Sequence, residues 1–72
     1  MKPQTAEILG HLKRHGSITP QVALREYRTM RLAARVLELR QDGYPIQTVL
    51  QYRAGRGRAV RFAEYRMGNR NG

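Results

Sequence analysis

Arginines are the residues of this sequence whose type and spacing point most directly to a chemistry. Arg31 and Arg35 stand four residues apart in the run MRLAARVLELRQDG, and Arg53, Arg56 and Arg58 crowd around the segment AGRG. A guanidinium carries a permanent charge and a planar fork of donors that matches phosphate oxygens and the major-groove edge of guanine. The two groups of arginines therefore predict binding to a phosphate-bearing polyanion.

The overall composition favours the same kind of partner. The 72 residues include 14 Lys and Arg against 5 Asp and Glu, which gives a formal net charge of +9. Such an excess favours nucleic acid, with an acidic protein or an anionic membrane surface as the alternatives. A chain of this length forms one small domain. We expect that domain to span residues 1–67 and a flexible tail to occupy residues 68–72.

The sequence gives little indication of a disulfide, a metal site, a catalytic site or a membrane segment. Cysteine is absent, which excludes disulfides and thiolate metal sites and suits a reducing cytoplasm. His11 and His15 have the i, i+4 spacing of a helical metal pair, but neither an HExxH motif nor a nearby third ligand accompanies them. The chain shows no glycine-rich phosphate loop, membrane span or signal peptide. We therefore expect a protein that is not an enzyme, needs no metal or cofactor and does not enter a membrane.

Three helices are predicted in the first part of the chain. The first covers TAEILGHLKRHG, residues 5–16, and an extended link, Ser17–Ile18, follows it. Thr19 is a typical N-cap with Pro20 in the first helical position, so a second helix begins there. The inward side of this second helix is expected to hold Val22, Ala23, Leu24 and Tyr27.

A break at Arg28 and Thr29 separates the second helix from a third. Thr29 is expected to cap the third helix, which runs from Met30 through Leu39 and stops at Gly43. At about 100° per residue, its apolar side is predicted to hold Leu32, Ala33, Val36, Leu37 and Leu39. Arg40 falls on that side near the helix end, where its long stem lets the guanidinium reach water.

The opposite side of the third helix is the candidate binding surface, with Arg31, Ala34, Arg35 and Glu38. Ala34 is small enough to let the helix approach a groove and touch a thymine methyl group, while the arginines reach guanine edges or phosphates. A solvated face with an ion pair from Arg31 or Arg35 to Glu38 explains the same residues. The helix taken alone does not decide between the two interpretations.

Beyond Gly43 the apolar pattern changes from a helical to an alternating period. The runs YPIQTVLQYR and RAVRFAEYRM flank AGRG and predict a β-hairpin with a glycine-containing turn. Clustered arginines at its tip repel one another in the free protein, whereas phosphates or a narrow minor groove attract them. A turn that merely aids solubility is the alternative.

Helix, link, helix, turn, helix and hairpin together resemble a winged helix-turn-helix arrangement. The runs HGSITPQVAL, MRLAARVLELRQDGYPI and FAEYRM are similar to a family of small helix-turn-helix proteins of bacteriophages and prophages, over about residues 5–67. The resemblance implies an α+β fold with three helices and a two-stranded antiparallel wing. It also implies that the third helix lies in the major groove of duplex DNA and that the wing touches the backbone or minor groove.

The resemblance also assigns roles to individual residues. It implies DNA contacts by Arg31, Ala34, Arg35 and Glu38 of the third helix and by Arg53, Arg56 and Arg58 of the wing. The starts of the second and third helices add Thr19, Gln21, Arg28 and Thr29 to the expected DNA-binding set. Proteins of this kind often have glycine where this chain has Arg28. Arg31 and Arg35 lie within the family-like run, so a role in holding the fold is the alternative for both.

The expected function is therefore sequence-preferring DNA binding. The protein would be a transcriptional regulator or an excisionase-like accessory factor of phage or mobile-element type, acting in the bacterial cytoplasm or nucleoid. A homodimer or a cooperative array on DNA would increase its affinity. The alternative is a phage-encoded interaction module that inhibits a host protein through its basic surface. Structured RNA is a third candidate partner, although most of the aromatic residues are expected in the core.

Overall fold

A computed structural model, which describes residues 1–68, contains three helices and three strands. In chain order they are α1 (Pro3–His15), β1 (Ser17–Ile18), α2 (Pro20–Tyr27), α3 (Leu32–Gln41), β2 (Ile46–Ala54) and β3 (Ala59–Met67). This order confirms the predicted α+β winged helix-turn-helix arrangement. The sheet has three strands rather than two, because the predicted link Ser17–Ile18 is itself a strand.

The sheet is antiparallel with the strand order β1-β3-β2. Ile18 pairs with Tyr65, while β2 and β3 form the long hairpin that we call the wing. Gly16 ends α1 in the left-handed conformation, with φ 83°, and its carbonyl accepts a hydrogen bond of 2.8 Å from the Met67 N–H. The base of the wing is therefore fastened to the end of α1, whereas its distal half extends beyond the core.

The core lies between the helices and the base of the sheet. It consists of Ile8, Leu9, Leu12, Ile18, Ala23, Leu32, Val36, Leu39, Ile46 and Tyr65, with Tyr27 and Tyr44 packed against it. Leu32, Val36 and Leu39 form the buried row of α3. Because burying each such side chain stabilises the fold by about 1.5–3 kcal/mol, this row determines which side of α3 faces inward.

The predicted inward sides of α2 and α3 are partly wrong. Leu24 of α2 is 51% exposed, Leu37 of α3 is 54% exposed, and Ala33 is exposed as well. Residues 33 and 37 lie roughly 90° and 130° from the centre of the buried row at 100° per residue. They are therefore too far around α3 to reach the core.

The turn between α2 and α3 is tight and differs in detail from the prediction. Arg28 ends α2 with φ 54°, a left-handed conformation. Thr29 is buried, and its hydroxyl oxygen accepts a hydrogen bond of 3.1 Å from the Arg31 N–H. Arg31, not Thr29, is the N-cap of α3, so Met30 precedes the helix. Thr29 closes the turn because its side chain binds the backbone N–H of Arg31, two residues later in the sequence.

The end of the described chain remains attached to the domain. The Gly68 N–H donates a hydrogen bond of 2.5 Å to the Pro45 carbonyl oxygen. The rest of the predicted tail, residues 69–72, lies outside the described residues.

Candidate nucleic-acid interface

One side of α3 is attached to α1 through Glu38. The Thr5 hydroxyl donates a hydrogen bond to Glu38 Oε1, and both Lys2 Nζ and Arg35 Nη2 lie 3.2 Å from Glu38 Oε2. The Thr5 hydrogen bond, with Lys2 and Arg35 adding to it, lowers the pKa of Glu38 below its ordinary value. The ion-pair interpretation is thus confirmed for Arg35 and Glu38, and Glu38 connects α3 to α1 through Thr5.

Arg35 is more enclosed than the predicted binding role requires. Its side chain is only 16% exposed, and its Nε is buried without a hydrogen-bond partner. The neighbouring Ala34 is half-buried. Of the four residues predicted for the binding side of the third helix, Arg31 alone is exposed, whereas Ala34, Arg35 and Glu38 are half-buried.

Arg40 attaches the opposite side of α3 to the wing. Its Nε donates a hydrogen bond of 2.9 Å to the Ile46 carbonyl oxygen, and its Nη2 donates one of 2.8 Å to the Thr48 hydroxyl. The guanidinium carbon also lies 6.0 Å from the centre of the Tyr65 ring. Arg40 therefore fixes how α3 and β2 are oriented to each other, which the sequence analysis did not foresee.

The side of α3 that faces solvent is largely apolar. Ala33, Leu37 and Gln41 are exposed at i, i+4 and i+8, so they form one row along the helix. Met30 lies just before the helix and is 87% exposed. We call these four residues the outward row. The sequence pattern did not predict it, because Ala33 and Leu37 are apolar and were expected on the inward side of α3.

The start of α2 is formed as predicted. Thr19 is its N-cap, and the hydroxyl oxygen accepts a hydrogen bond of 3.3 Å from the Val22 N–H, with Pro20 in the first helical position. Gln21 is exposed in the same turn, and Arg28 is exposed at the end of the helix. Thr19 thus serves the helix, while the side chains of Gln21 and Arg28 face solvent.

Two glycines shape the tip of the wing. The Gly55 N–H donates a hydrogen bond of 2.7 Å to the Arg58 carbonyl oxygen. A Cβ on Gly55 would lie 2.9 Å from that oxygen, and Gly57 has φ 75°. The pattern AGRG predicts a positive φ at both glycines of the turn, but only Gly57 has one, whereas Gly55 allows a close backbone approach.

Four exposed arginines surround this turn. They are Arg53, Arg56, Arg58 and Arg61, the last of which the predicted set omits. Within residues 1–68 their side chains form no hydrogen bond or ion pair. Arg66 differs, because its Nε lies 2.7 Å from Glu64 Oε1. The tip of the wing is thus a cluster of uncompensated positive charge.

The two histidines of α1 lie close to each other and to Tyr27 of α2. His11 Nδ1 lies 2.7 Å from the Tyr27 hydroxyl, which also accepts a hydrogen bond of 3.3 Å from Arg14. Burial, followed by the charges of His15 and Arg14, lowers the pKa of His11. In the described part of the chain, no group of three or more candidate ligands could hold a metal ion. His11 therefore connects α1 to α2 through Tyr27, while the His15 ring lies against the His11 ring, with the ring centroids 4.5 Å apart.

The fold and the site together define a class of protein. A tight turn joins α2 and α3, one side of α3 faces solvent, and an arginine-rich hairpin follows. This is the arrangement of DNA-binding helix-turn-helix domains with a wing. Residues 3–70 match the family described as winged helix-turn-helix domain, and the chain belongs to this family. Membership indicates DNA as the partner, and domains of this kind are typically not enzymes.

Two further findings complete the comparison. No curated protein and no solved structure is significantly similar to the chain. Among residues 1–68, no helix has the length and apolar character that crossing a bilayer requires.

Proposed function

We propose that this chain is a sequence-preferring DNA-binding protein of phage or mobile-element type, either a transcriptional regulator or an excisionase-like accessory factor. It places α3 in the major groove and the wing on the flanking backbone or minor groove. It acts in the bacterial cytoplasm or nucleoid, where a homodimer or a cooperative array on DNA increases affinity. The observation that carries the proposal is the cluster of uncompensated arginines at the tip of the wing.

These arginines are unfavourable in the free protein. Between Gly43 and Ala63 the sequence contains no acidic residue, so nothing in that segment offsets the mutual repulsion of the charges at the tip. Phosphates of a duplex remove this repulsion, and their condensed counterions are released on binding. The electrostatic free energy of the wing therefore falls most when a polyanion surrounds the tip.

The DNA contacts of residues outside the wing are assigned from the exposure of their side chains. Arg28, Arg31 and Gln21 have free side chains near the helix starts and contact phosphates or base edges. Ala34 allows close approach to the groove. Arg35, Glu38, Thr19 and Thr29 are engaged within the protein, so their contribution is to position the helices that carry the contacts.

A titration of a fluorescently labelled duplex over a salt series tests this proposal. We expect the logarithm of the association constant to fall with the logarithm of salt concentration by about 0.9 per neutralised phosphate. The double variant Arg56→Gln/Arg58→Gln should lower that slope by about 2. Arg66→Gln is the matched control, because Glu64 already compensates its charge. A flat salt response, or equal slopes for the wild type and the double variant, would contradict the proposal.

A second candidate function is a phage-encoded interaction module that inhibits a host protein. The exposed apolar side chains favour it: Leu24, Met30, Leu37, Leu50 and Tyr52 are each at least half exposed. This candidate predicts no measurable affinity for duplex DNA even at low salt. Steep, salt-dependent duplex binding that the double variant weakens would exclude it as the principal function.

A further inference from the structure

The side of α3 that is free to meet a partner offers almost no hydrogen-bonding groups. The outward row presents Met30, 87% exposed, and Leu37, 54% exposed, with Ala33 between them. Gln41, at the end of the helix, is its one polar member. An exposed apolar row is unexpected for a helix that is to read bases through hydrogen bonds.

The other polar side chains of α3 are engaged elsewhere. Arg35 and Glu38 pair with each other, and Glu38 also binds Thr5 of α1 and Lys2, which precedes α1. Arg40 donates to Ile46 and Thr48 of β2. The middle of the helix is thus left with methyl and methylene groups on its free side.

The major groove contains one apolar group that can match such a surface. Each base pair displays a set of donors and acceptors there, and thymine adds a 5-methyl group. Donors and acceptors covered by an apolar side chain lose their water without replacement, which is unfavourable. An apolar row is therefore better matched to thymine methyl groups than to the edge of a G·C pair.

Charge favours DNA over a second copy of the chain as the occupant of this row. Arg28 and Arg31 flank its N-terminal end and are exposed, and the chain carries a net charge of +9. Two such chains repel each other, whereas a duplex attracts the arginines that flank the row and so brings the row against it.

We infer that the outward row reads thymine methyl groups, so that the protein prefers A·T-rich sites in which Met30 and Leu37 contact these methyl groups. The inference rests on the proposed function, since it requires α3 to lie in the major groove. It specifies the class of site that the helix selects and leaves phosphate binding to the arginines.

Replacing thymine by deoxyuridine tests the inference, because this removes the methyl group and keeps every hydrogen-bonding group. The probes are an A·T-rich duplex, the same duplex with deoxyuridine, and a G·C-rich duplex with cytosine or 5-methylcytosine. We expect removal of the methyl groups to weaken binding about fourfold for each methyl that the protein covers. We also expect 5-methylcytosine to strengthen binding to the G·C-rich duplex.

Matched variants assign the effect to the outward row. Leu37→Ala and, separately, Met30→Ala should bring the ratio of thymine to deoxyuridine affinity towards one. Leu24→Ala is the control, since Leu24 is 51% exposed on α2 and Leu37 is 54% exposed on α3. It should leave the ratio unchanged. Thermal unfolding followed by circular dichroism checks that all three variants fold.

The outcomes separate the inference from the proposed function. Equal affinity for the thymine and deoxyuridine duplexes, with steep salt dependence retained, would overturn the inference alone. Absence of binding to any of the duplexes would overturn the proposed function and the inference with it. If Leu37→Ala changed the sedimentation mass of the free protein and left the ratio of thymine to deoxyuridine affinity at its wild-type value, the row would be a self-association surface, and the inference would again be overturned.

Discussion

Arg28 adopts a backbone conformation that glycine accommodates better. Its φ of 54° makes it the one non-glycine residue with positive φ in the described chain, and this conformation costs an ordinary residue about 1–2 kcal/mol. The side chain is exposed at the entrance to α3. We propose that the positive charge at this position offsets the cost by binding a phosphate.

Replacing Arg28 should therefore separate stability from binding. We predict that Arg28→Gly raises the free energy of unfolding by about 1 kcal/mol, because glycine has no Cβ to strain. The Arg28→Ala variant keeps a Cβ at this position, so its free energy of unfolding should not rise above that of the wild type. Both variants lose the charge and should bind duplex DNA more weakly by the same factor. Urea denaturation measures the first effect, and equal unfolding free energies for the two variants would refute the explanation by strain.

Glu38 should make the protein sensitive to acid. The Thr5 hydroxyl, followed by Lys2 and Arg35, lowers the pKa of the folded carboxyl below the unfolded value of 4.5. The ionised carboxylate therefore stabilises the folded state above about pH 4.5, and this stabilisation is lost as the pH falls through the folded pKa.

Glu38→Gln should remove this part of the pH dependence. Denaturation midpoints measured from pH 3 to 7 should fall less steeply with acid in the variant than in the wild type. Glu7→Gln is the control, because Glu7 is exposed. It should retain the wild-type profile. Parallel profiles for the Glu38 variant and the wild type would contradict the assigned role.

At the scale of elements, α3 is held from three directions. Its buried row packs into the core, Glu38 connects it to α1, and Arg40 connects it to β2. These contacts leave the outward row free. The orientation of the outward row thus depends on side chains that lie on other sides of α3.

Arg40→Ala should loosen the wing from α3. The two hydrogen bonds of Arg40 to Ile46 and Thr48 are lost, so we predict a decrease of about 1–3 kcal/mol in the free energy of unfolding. Amide hydrogen exchange at the start of β2 should also become faster. Arg61→Ala removes an equal charge from an exposed side chain with no hydrogen bond in the described chain and should leave both quantities unchanged. Unaltered exchange in the Arg40 variant would show that its bonds do not hold the wing.

The sequence predicted the structure correctly where that structure depends on residues adjacent in the chain. Thr19 and Pro20 predicted the start of α2, and Gly57 predicted the turn of the wing. The outward row was not predicted, because only the packing of α3 shows that Leu37 lies outside the core. Glu38 meets Lys2 and Thr5, more than 30 residues away in sequence, and no local pattern indicates such a contact. The strand Ser17–Ile18 was missed for the same reason, since its partner is β3.

At the scale of the whole molecule, charge and shape act together. The longest dimension is 41 Å, and each nine-residue strand of the wing is about 30 Å long. The wing therefore places its arginines well away from the core, while Arg40 attaches the base of the wing to α3. We propose that one duplex contacts both α3 and the tip of the wing, so that the fold serves to hold two separate contacts at a fixed distance.

Chemical-shift mapping tests this central claim most directly. Isotope-labelled protein titrated with a short A·T-rich duplex should show its largest amide shifts at Arg31, Leu37, Arg56 and Arg58. Glu64 and Arg66 lie on the face of the sheet opposite Tyr65, which packs into the core, so the amides beside this ion pair should change little. Shifts confined to that face of the sheet or to α1, or no shifts at saturating duplex, would contradict the claim that α3 and the wing bind DNA together.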